Sequence, residues 1–314
     1  VRLPLAFLQL IRWPNLVFIA ITQAMFYFCI LLPVMQAAGG VATVNTTMLI
    51  WLIAASVFIA AAGYIINDYF DLNIDLVNKP DKLVVEKIIN RRWVILWHLL
   101  LSLIGLLLSG YVSIKLDSYW LAIANAACIV LLFIYSMSLK KQLLSGNLLI
   151  SLLTAWVILV LALAEMHSIR TEPEAIQEAH RKIFRLGVLY AGFAFIISLI
   201  REVVKDMEDR EGDRRHGCKT MPIAWGMNAT KVFVAVWIIV LMAVLVVLQV
   251  YVVSQFQWWI SALYCVAAIV VPLLMVLKKM YPAQSPGEFH RLSTMIKLVM
   301  LTGILSMIFF YFYL

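Results

Sequence analysis

The sequence predicts an all-α, polytopic membrane protein, with nine transmembrane helices around a central cavity capped by two cytoplasmic loop or helix segments. Three observations predict it. The chain is 64% hydrophobic, with a mean hydropathy of +0.96. Only 13% of its residues are charged, roughly half the fraction of a soluble domain. The apolar residues gather into separate runs long enough to span a bilayer, about 20 residues each. The alternation that a membrane β-barrel needs is absent.

Nine such runs are expected, at approximately 15–35, 47–67, 93–113, 119–138, 147–166, 186–205, 230–252, 258–277 and 292–312. Arg2 and Arg12 precede the first run, which ends near Gln36-Ala37-Ala38-Gly39. That run is longer than a usual signal core, so it reads as a retained span. The second run ends in the acidic stretch Asn67 to Asp75, and a long loop, Val77 to Arg92, follows. Asn78-Lys79-Pro80-Asp81 reads there as a turn leading into a short amphipathic helix. Between spans five and six, Glu172, Glu174 and Glu178 suggest a short surface helix beginning after Pro173. Span six merges into a second acidic stretch, and Gly212, Gly217 and Pro222 punctuate the loop after it. The chain reads as one transmembrane domain, 1–314. Recurrence of the acidic triplet on the second helix of each half suggests four-helix half-repeats, 1–145 and 146–277, plus a ninth helix.

The net charge of +8 does not indicate nucleic acid. The basic residues sit in short loops, where they act as an orientation signal. Four crossings separate the two acidic stretches, so both emerge on one face. That face also carries Lys79, Lys82, Lys87, Arg91, Arg92, Lys140 and Lys141, which places it in the cytoplasm, with the protein in the inner or cytoplasmic membrane. Cys29, Cys128, Cys218 and Cys265 form no metal-ligand doublet, and the three that lie in apolar runs read as small packing residues. Gln23, His98 and Asn125 lie within apolar runs and are expected to bond between helices or face the interior. Glu165, at the far membrane edge, is expected to have no special role.

Function is expected at the acidic stretches. Asp68, Asp71 and Asp75 stand at i, i+3 and i+7, on one helical face. Asp206, Asp209 and Asp213 repeat that interval. Clustered carboxylates repel unless a cation joins them, and an all-oxygen donor set suits Mg²⁺ bridging to substrate phosphates. Six carboxylates, many Lys and Arg, and an apolar bundle fit a ligand with a polyanionic head and a greasy tail, such as an isoprenyl diphosphate. The acids sit at span ends, whereas ion sites of a cation-coupled transporter, the alternative of another class, lie near the midplane.

These residues resemble the UbiA superfamily of intramembrane prenyltransferases. Asn67-Asp68-x-x-Asp71-x-x-x-Asp75 resembles its first signature and Asp206-x-x-Asp209-x-x-x-Asp213 its second. Arg12-Trp13-Pro14-Asn15 is similar to the Arg-Pro-x-Asn opening of span one, with Trp13 inserted. Tyr135-Ser136, Leu139-Lys140 and Gly146-Asn147 resemble the loop after span four, and Thr220-Met221-Pro222 with Gly226 the segment after the second signature. The resemblance implies Mg²⁺-dependent prenyl transfer from a diphosphate donor to a lipid-soluble acceptor. Asn67, Asp68, Asp71 and Asp75 would hold one metal ion, and Asp206, Asp209 and Asp213 a second. Arg12, Asn15, Tyr135 and Lys140 would contact substrate, with Lys79 and Lys205 as further diphosphate partners. The run Arg201 to Asp213 is most similar to the ether-lipid branch, which moves a geranylgeranyl group onto geranylgeranylglyceryl phosphate. Arg12, Lys141, Arg214 and Arg215 are then the expected partners of the acceptor phosphate. An aromatic acceptor of quinone synthesis is the alternative.

Overall fold

The computed structural model describes residues 3–78, 84–166 and 173–313. Among them, nine helices are long and apolar enough to cross a membrane. They are span one (Trp13–Ala37), two (Thr46–Asn78), three (Arg91–Lys115), four (Tyr119–Met137), five (Ser145–Glu165), six (Glu174–Glu208), seven (Met227–Phe256), eight (Trp259–Met280) and nine (Pro286–Tyr313). Each corresponds to one expected run. A short helix, Leu3–Leu10, precedes span one.

Prolines explain the local irregularities. A proline ring collides with the carbonyl four residues earlier, and the helix relaxes by widening a turn. Span one widens at Tyr27–Leu31, just before Pro33. Span eight widens at Val266–Val270, before Pro272, and the Ala268 carbonyl four residues back accepts the Thr302 hydroxyl of span nine at 2.8 Å. Span nine starts in a capping box, with Ser285 and Glu288 satisfying each other's backbone ends and Pro286 in the first turn.

Helices in lipid associate through close backbone approach and inter-helix hydrogen bonds. A Cβ on Gly105 of span three would lie 2.7 Å from the Ile59 side chain of span two, and one on Gly187 of span six 2.6 Å from Ala162 of span five. Gln23 donates to Ser56 Oγ and to the Val157 carbonyl, both at 3.0 Å. Asn125 donates to Ser109 at 2.6 Å and accepts from the Trp156 indole at 3.1 Å. His98 Nδ1 meets the Ala62 carbonyl at 3.0 Å. The three intramembrane polar residues therefore tie helices together, as expected.

Three expectations need correction. The surface helix after Pro173 is present but not separate, because Glu174 to Glu208 is one unbroken helix. No amphipathic helix forms over 84–90, which closes instead as a tight loop. Its Val85–Ile89 bridge and a left-handed Glu86 (φ 66°) turn Val84, Val85 and Ile89 inward against Ala6 and Leu10. Lys79, Pro80 and Asp81 lie outside the described residues. Finally, Glu165 is fully buried and anchors the loop between spans one and two. Its carboxylate accepts from Thr43 N at 2.8 Å and Val44 N at 3.0 Å, while the Tyr27 hydroxyl donates to the Val44 carbonyl at 2.8 Å. Glu165→Ala would orphan two backbone donors, at about 1–3 kcal/mol each. Thermal unfolding in detergent should show a drop of several degrees, and Glu165→Gln, which keeps one acceptor oxygen, should recover part of it.

Candidate active site

Span two extends as a helix past its apolar run, so it carries Asp68, Asp71 and Asp75 at its end, all partly buried. Arg12 sits at the bend before span one in a left-handed conformation (φ 51°). Its Nη2 meets Asp68 Oδ1 at 2.7 Å, with the guanidinium 5.2 Å from the Tyr64 ring centre. Lys140 comes from the single turn Leu139–Lys141 after span four and is nearly buried. Its Nζ lies 2.5 Å from Asp71 Oδ1 and 3.3 Å from Asn67 Oδ1, and Asn67 donates to Asp71 Oδ2 at 2.8 Å. Burial lowers the Lys140 pKa, and Asp71 restores part of the loss. Gly146 makes this placement possible, since a Cβ there would lie 2.8 Å from Lys140 Cα and 2.9 Å from the Leu139 carbonyl. Gly146→Val must push Lys140 away from Asp71. Turnover should fall about tenfold or more, and an unchanged rate would show that the Lys140 position is unimportant.

The second tip is built differently. Span six ends at Glu208, Asp209 breaks the helix, and a short helix, Arg210–Arg215, carries Asp213. Asp206 Oδ2 accepts from Asn147 Nδ2 of span five at 2.8 Å. Asn78, the last residue of span two, clasps this break: its Nδ2 donates to the Asp209 carbonyl at 3.0 Å and its Oδ1 accepts from Gly212 N at 2.8 Å. Lys219 N donates to the Lys141 carbonyl at 2.7 Å, a further tie across the same surface. Burial pushes the nearby Cys218 thiol up to about 11, with Asp213 and Asp71 adding to the shift against Lys141 and Lys140. Asn78 stands three residues beyond Asp75 and bonds the backbone on both sides of the break in the second tip, so the tips converge.

Below the tips lies a cavity of about 390 Å³. At the tip end it is lined by Arg12, Asn15, Tyr64, Asn67, Tyr135 and Lys205. Its body is apolar, and toward the far face Tyr190, Trp258 and Phe310 line it, in mutual ring contact through Phe310.

The sequence model described as the UbiA prenyltransferase family matches residues 24–313. This chain belongs to that family. It is a prenyltransferase and an integral, multi-pass membrane protein. Among its relatives, a digeranylgeranylglyceryl phosphate synthase of Methanosphaera stadtmanae is 28% identical over 256 residues, 80% of this chain and 83% of the relative. Two solved structures share the fold. One, of a digeranylgeranylglyceryl phosphate synthase studied in membranes, aligns over 96% of this chain and 98% of its own at a TM-score of 0.60 and 23% identity. The other, a UbiA homologue from Archaeoglobus fulgidus bound to DMAPP and Mg²⁺, aligns over 96% and 98% at 0.55 and 15% identity.

Most residues expected in the prenyltransferase site lie at the tips or the cavity mouth. Lys79 lies outside the described residues. Two partners differ from an ordinary solvated helix end: Lys205 reaches back to Glu202 at 2.7 Å, and Asp206 bonds Asn147. Lys141, Arg214 and Arg215 are exposed, with Arg215 paired to Glu211, and they do not line the cavity. Three residues that do line it escaped sequence reasoning as site residues: Arg201, Glu202 and Lys297. Lys297 donates to Asn15 Oδ1 at 2.7 Å. Its signal was available, because a lone charge inside an apolar span marks a functional position by default.

Proposed function

We propose that this prenyltransferase moves a geranylgeranyl group from its diphosphate onto geranylgeranylglyceryl phosphate, at the cytoplasmic face. The observation that carries this reading is the convergence of two acid tips, joined through Asn78, over an apolar cavity with a cationic mouth. The names of the curated relatives support the acceptor, and DMAPP and Mg²⁺ bound by the A. fulgidus homologue support the donor class and the metal.

The residues present fit divalent ions. Their donor atoms are oxygens, which suits Mg²⁺ bridging to substrate phosphates. Asn67, Asp68, Asp71 and Asp75 would hold one ion, and Asp206, Asp209 and Asp213 a second. The ions would neutralise charge on the diphosphate.

The chain's own groups do the rest. Lys140 and Arg12 face the phosphate oxygens and oppose the charge that builds there as the donor's C1–O bond breaks and its electron pair leaves with diphosphate. The Tyr135 ring, in the cavity wall, would face an allylic cation formed below the tips, and the apolar wall would exclude water from it. The acceptor hydroxyl oxygen then bonds C1 and gives its proton to the departing diphosphate.

The test is a turnover screen in lipid nanodiscs. It crosses labelled geranyl, farnesyl and geranylgeranyl diphosphates with geranylgeranylglyceryl phosphate and aromatic acceptors, with Mg²⁺ and with chelator. Expected is geranylgeranyl transfer to the glyceryl phosphate, lost on chelation. Preference for an aromatic acceptor would overturn the acceptor assignment.

A further inference from the structure

The cavity wall carries cations beyond those that meet the first acid tip. Arg201 and Lys205 of span six share a single carboxylate, Glu202 Oε1, at 3.2 and 2.7 Å. Lys297 enters from span nine, where its Nζ meets the neutral Asn15 carbonyl at 2.7 Å and lies 4.9 Å from the Phe18 ring centre. Arg201 and Lys297 line the same cavity. Arg12, the nearest further cation, is engaged by Asp68. Among the described residues that line it, this part of the wall therefore sets three cations, Arg201, Lys205 and Lys297, against one carboxylate, Glu202. Arg201 Nε is moreover buried with no hydrogen-bond partner among the described residues. Uncompensated charge and an orphaned donor in an apolar cavity are both unfavourable, and both are relieved by an anion.

That anion is not the donor's diphosphate. Arg201 precedes Asp206 by five residues, about 7.5 Å along the helix toward the bilayer interior, and Lys297 belongs to a helix that carries no acid tip. A diphosphate held at the tips points its C1 and tail in that direction. The extra cations thus flank the place where the second substrate must approach C1.

We infer that Arg201 and Lys297, with Asn15, form a second anion subsite that receives the phosphate monoester of the acceptor. The inference rests on the function proposed above and deepens it, replacing the exposed Lys141, Arg214 and Arg215 as the acceptor's partners. It also has a consequence for order. Two cations beside C1 oppose formation of an allylic cation there. The acceptor's phosphate removes that opposition, so the donor ionises readily only when the acceptor is in place.

The experiment compares the full-length protein with Arg201→Gln and Lys297→Met, using geranylgeranylglyceryl phosphate and its dephosphorylated analogue, geranylgeranylglycerol. Each substitution should raise the acceptor KM about 10- to 100-fold, as loss of a charged hydrogen bond does, while the donor KM moves less than about threefold. The analogue should bind the unaltered protein weakly and be almost insensitive to either substitution. Lys297→Arg should restore most of the acceptor affinity, which separates a lost contact from a damaged fold. Equal rises in both KM values would place these residues at the diphosphate and overturn the subsite, and unchanged KM values would do the same. Failure of the unaltered protein to use the glyceryl phosphate at all overturns the functional reading itself, and the subsite with it.

Discussion

Asp71→Asn should leave a folded protein whose prenyl transfer is about a hundredfold to a thousandfold slower, the range seen when one transition-state charge contact is removed. Both carboxylate oxygens of Asp71 are engaged. One oxygen meets Lys140 and the other takes the Asn67 amide. An asparagine preserves size and one carbonyl oxygen, so packing survives, but the negative charge does not. Two losses follow. The donor set for a divalent ion is weakened, which shows as a higher Mg²⁺ requirement. Lys140, nearly buried, also loses the partner that offsets its burial. Its pKa then falls further, and the ammonium deprotonates at lower pH than before. The alkaline limb of the residual activity should therefore shift to lower pH. Asp209→Asn, on the other tip, should show the rate loss and the Mg²⁺ effect without that shift. Full activity in both variants would end the assignment of metal to these acids.

Much of this arrangement was legible because it rests on local periodicity. Nine apolar runs give nine spans, since a helix must satisfy its own backbone in lipid. The i, i+3, i+7 spacing of acids was readable because a helix fixes which residues share a face. What pairs with those acids was not. Lys205 stands four residues before Asp209, which on spacing alone suggests an exposed ion pair. The structure turns it toward Glu202 in the cavity. Glu165 resembled an edge residue, yet it holds the backbone of residues 43 and 44, far away in sequence. Lys297 was readable as a lone charge in an apolar run, but its Asn15 partner on span one was not. Glu165 and Lys297 find their partners on segments far away in sequence, which no local window contains, while Lys205 finds its own three residues back on the same helix, where spacing left Asp209 equally open.

The contact between the tips gives the sharpest test of the whole arrangement. Gly212→Ala should lower turnover about a hundredfold, the effect of misplacing catalytic groups by roughly 1 Å, with little loss of stability. A Cβ at this position would lie 2.4 Å from Asn78 Oδ1 and 2.5 Å from both Cγ and Nδ2. All three atoms of the amide group are affected, so no rotation within the clasp relieves the clash. Asn78 must swing out and surrender its bonds to Asp209 O and Gly212 N. Each is worth only about 0.5–1.5 kcal/mol, so thermal unfolding should move by a few degrees. The larger effect is geometric, because span two and the helix Arg210–Arg215 are then free to separate. Asn78→Ala should reproduce the loss of turnover by removing the same two bonds without crowding. The double variant Gly212→Ala with Asn78→Ala then distinguishes the cause. If the alanine acts only by expelling the amide, the double variant should be no slower than Asn78→Ala alone, a strongly non-additive cycle. Additive losses would mean that Gly212 serves some other purpose. Normal turnover in Gly212→Ala, with an unshifted Mg²⁺ requirement, would mean that the two acid tips work without being held together.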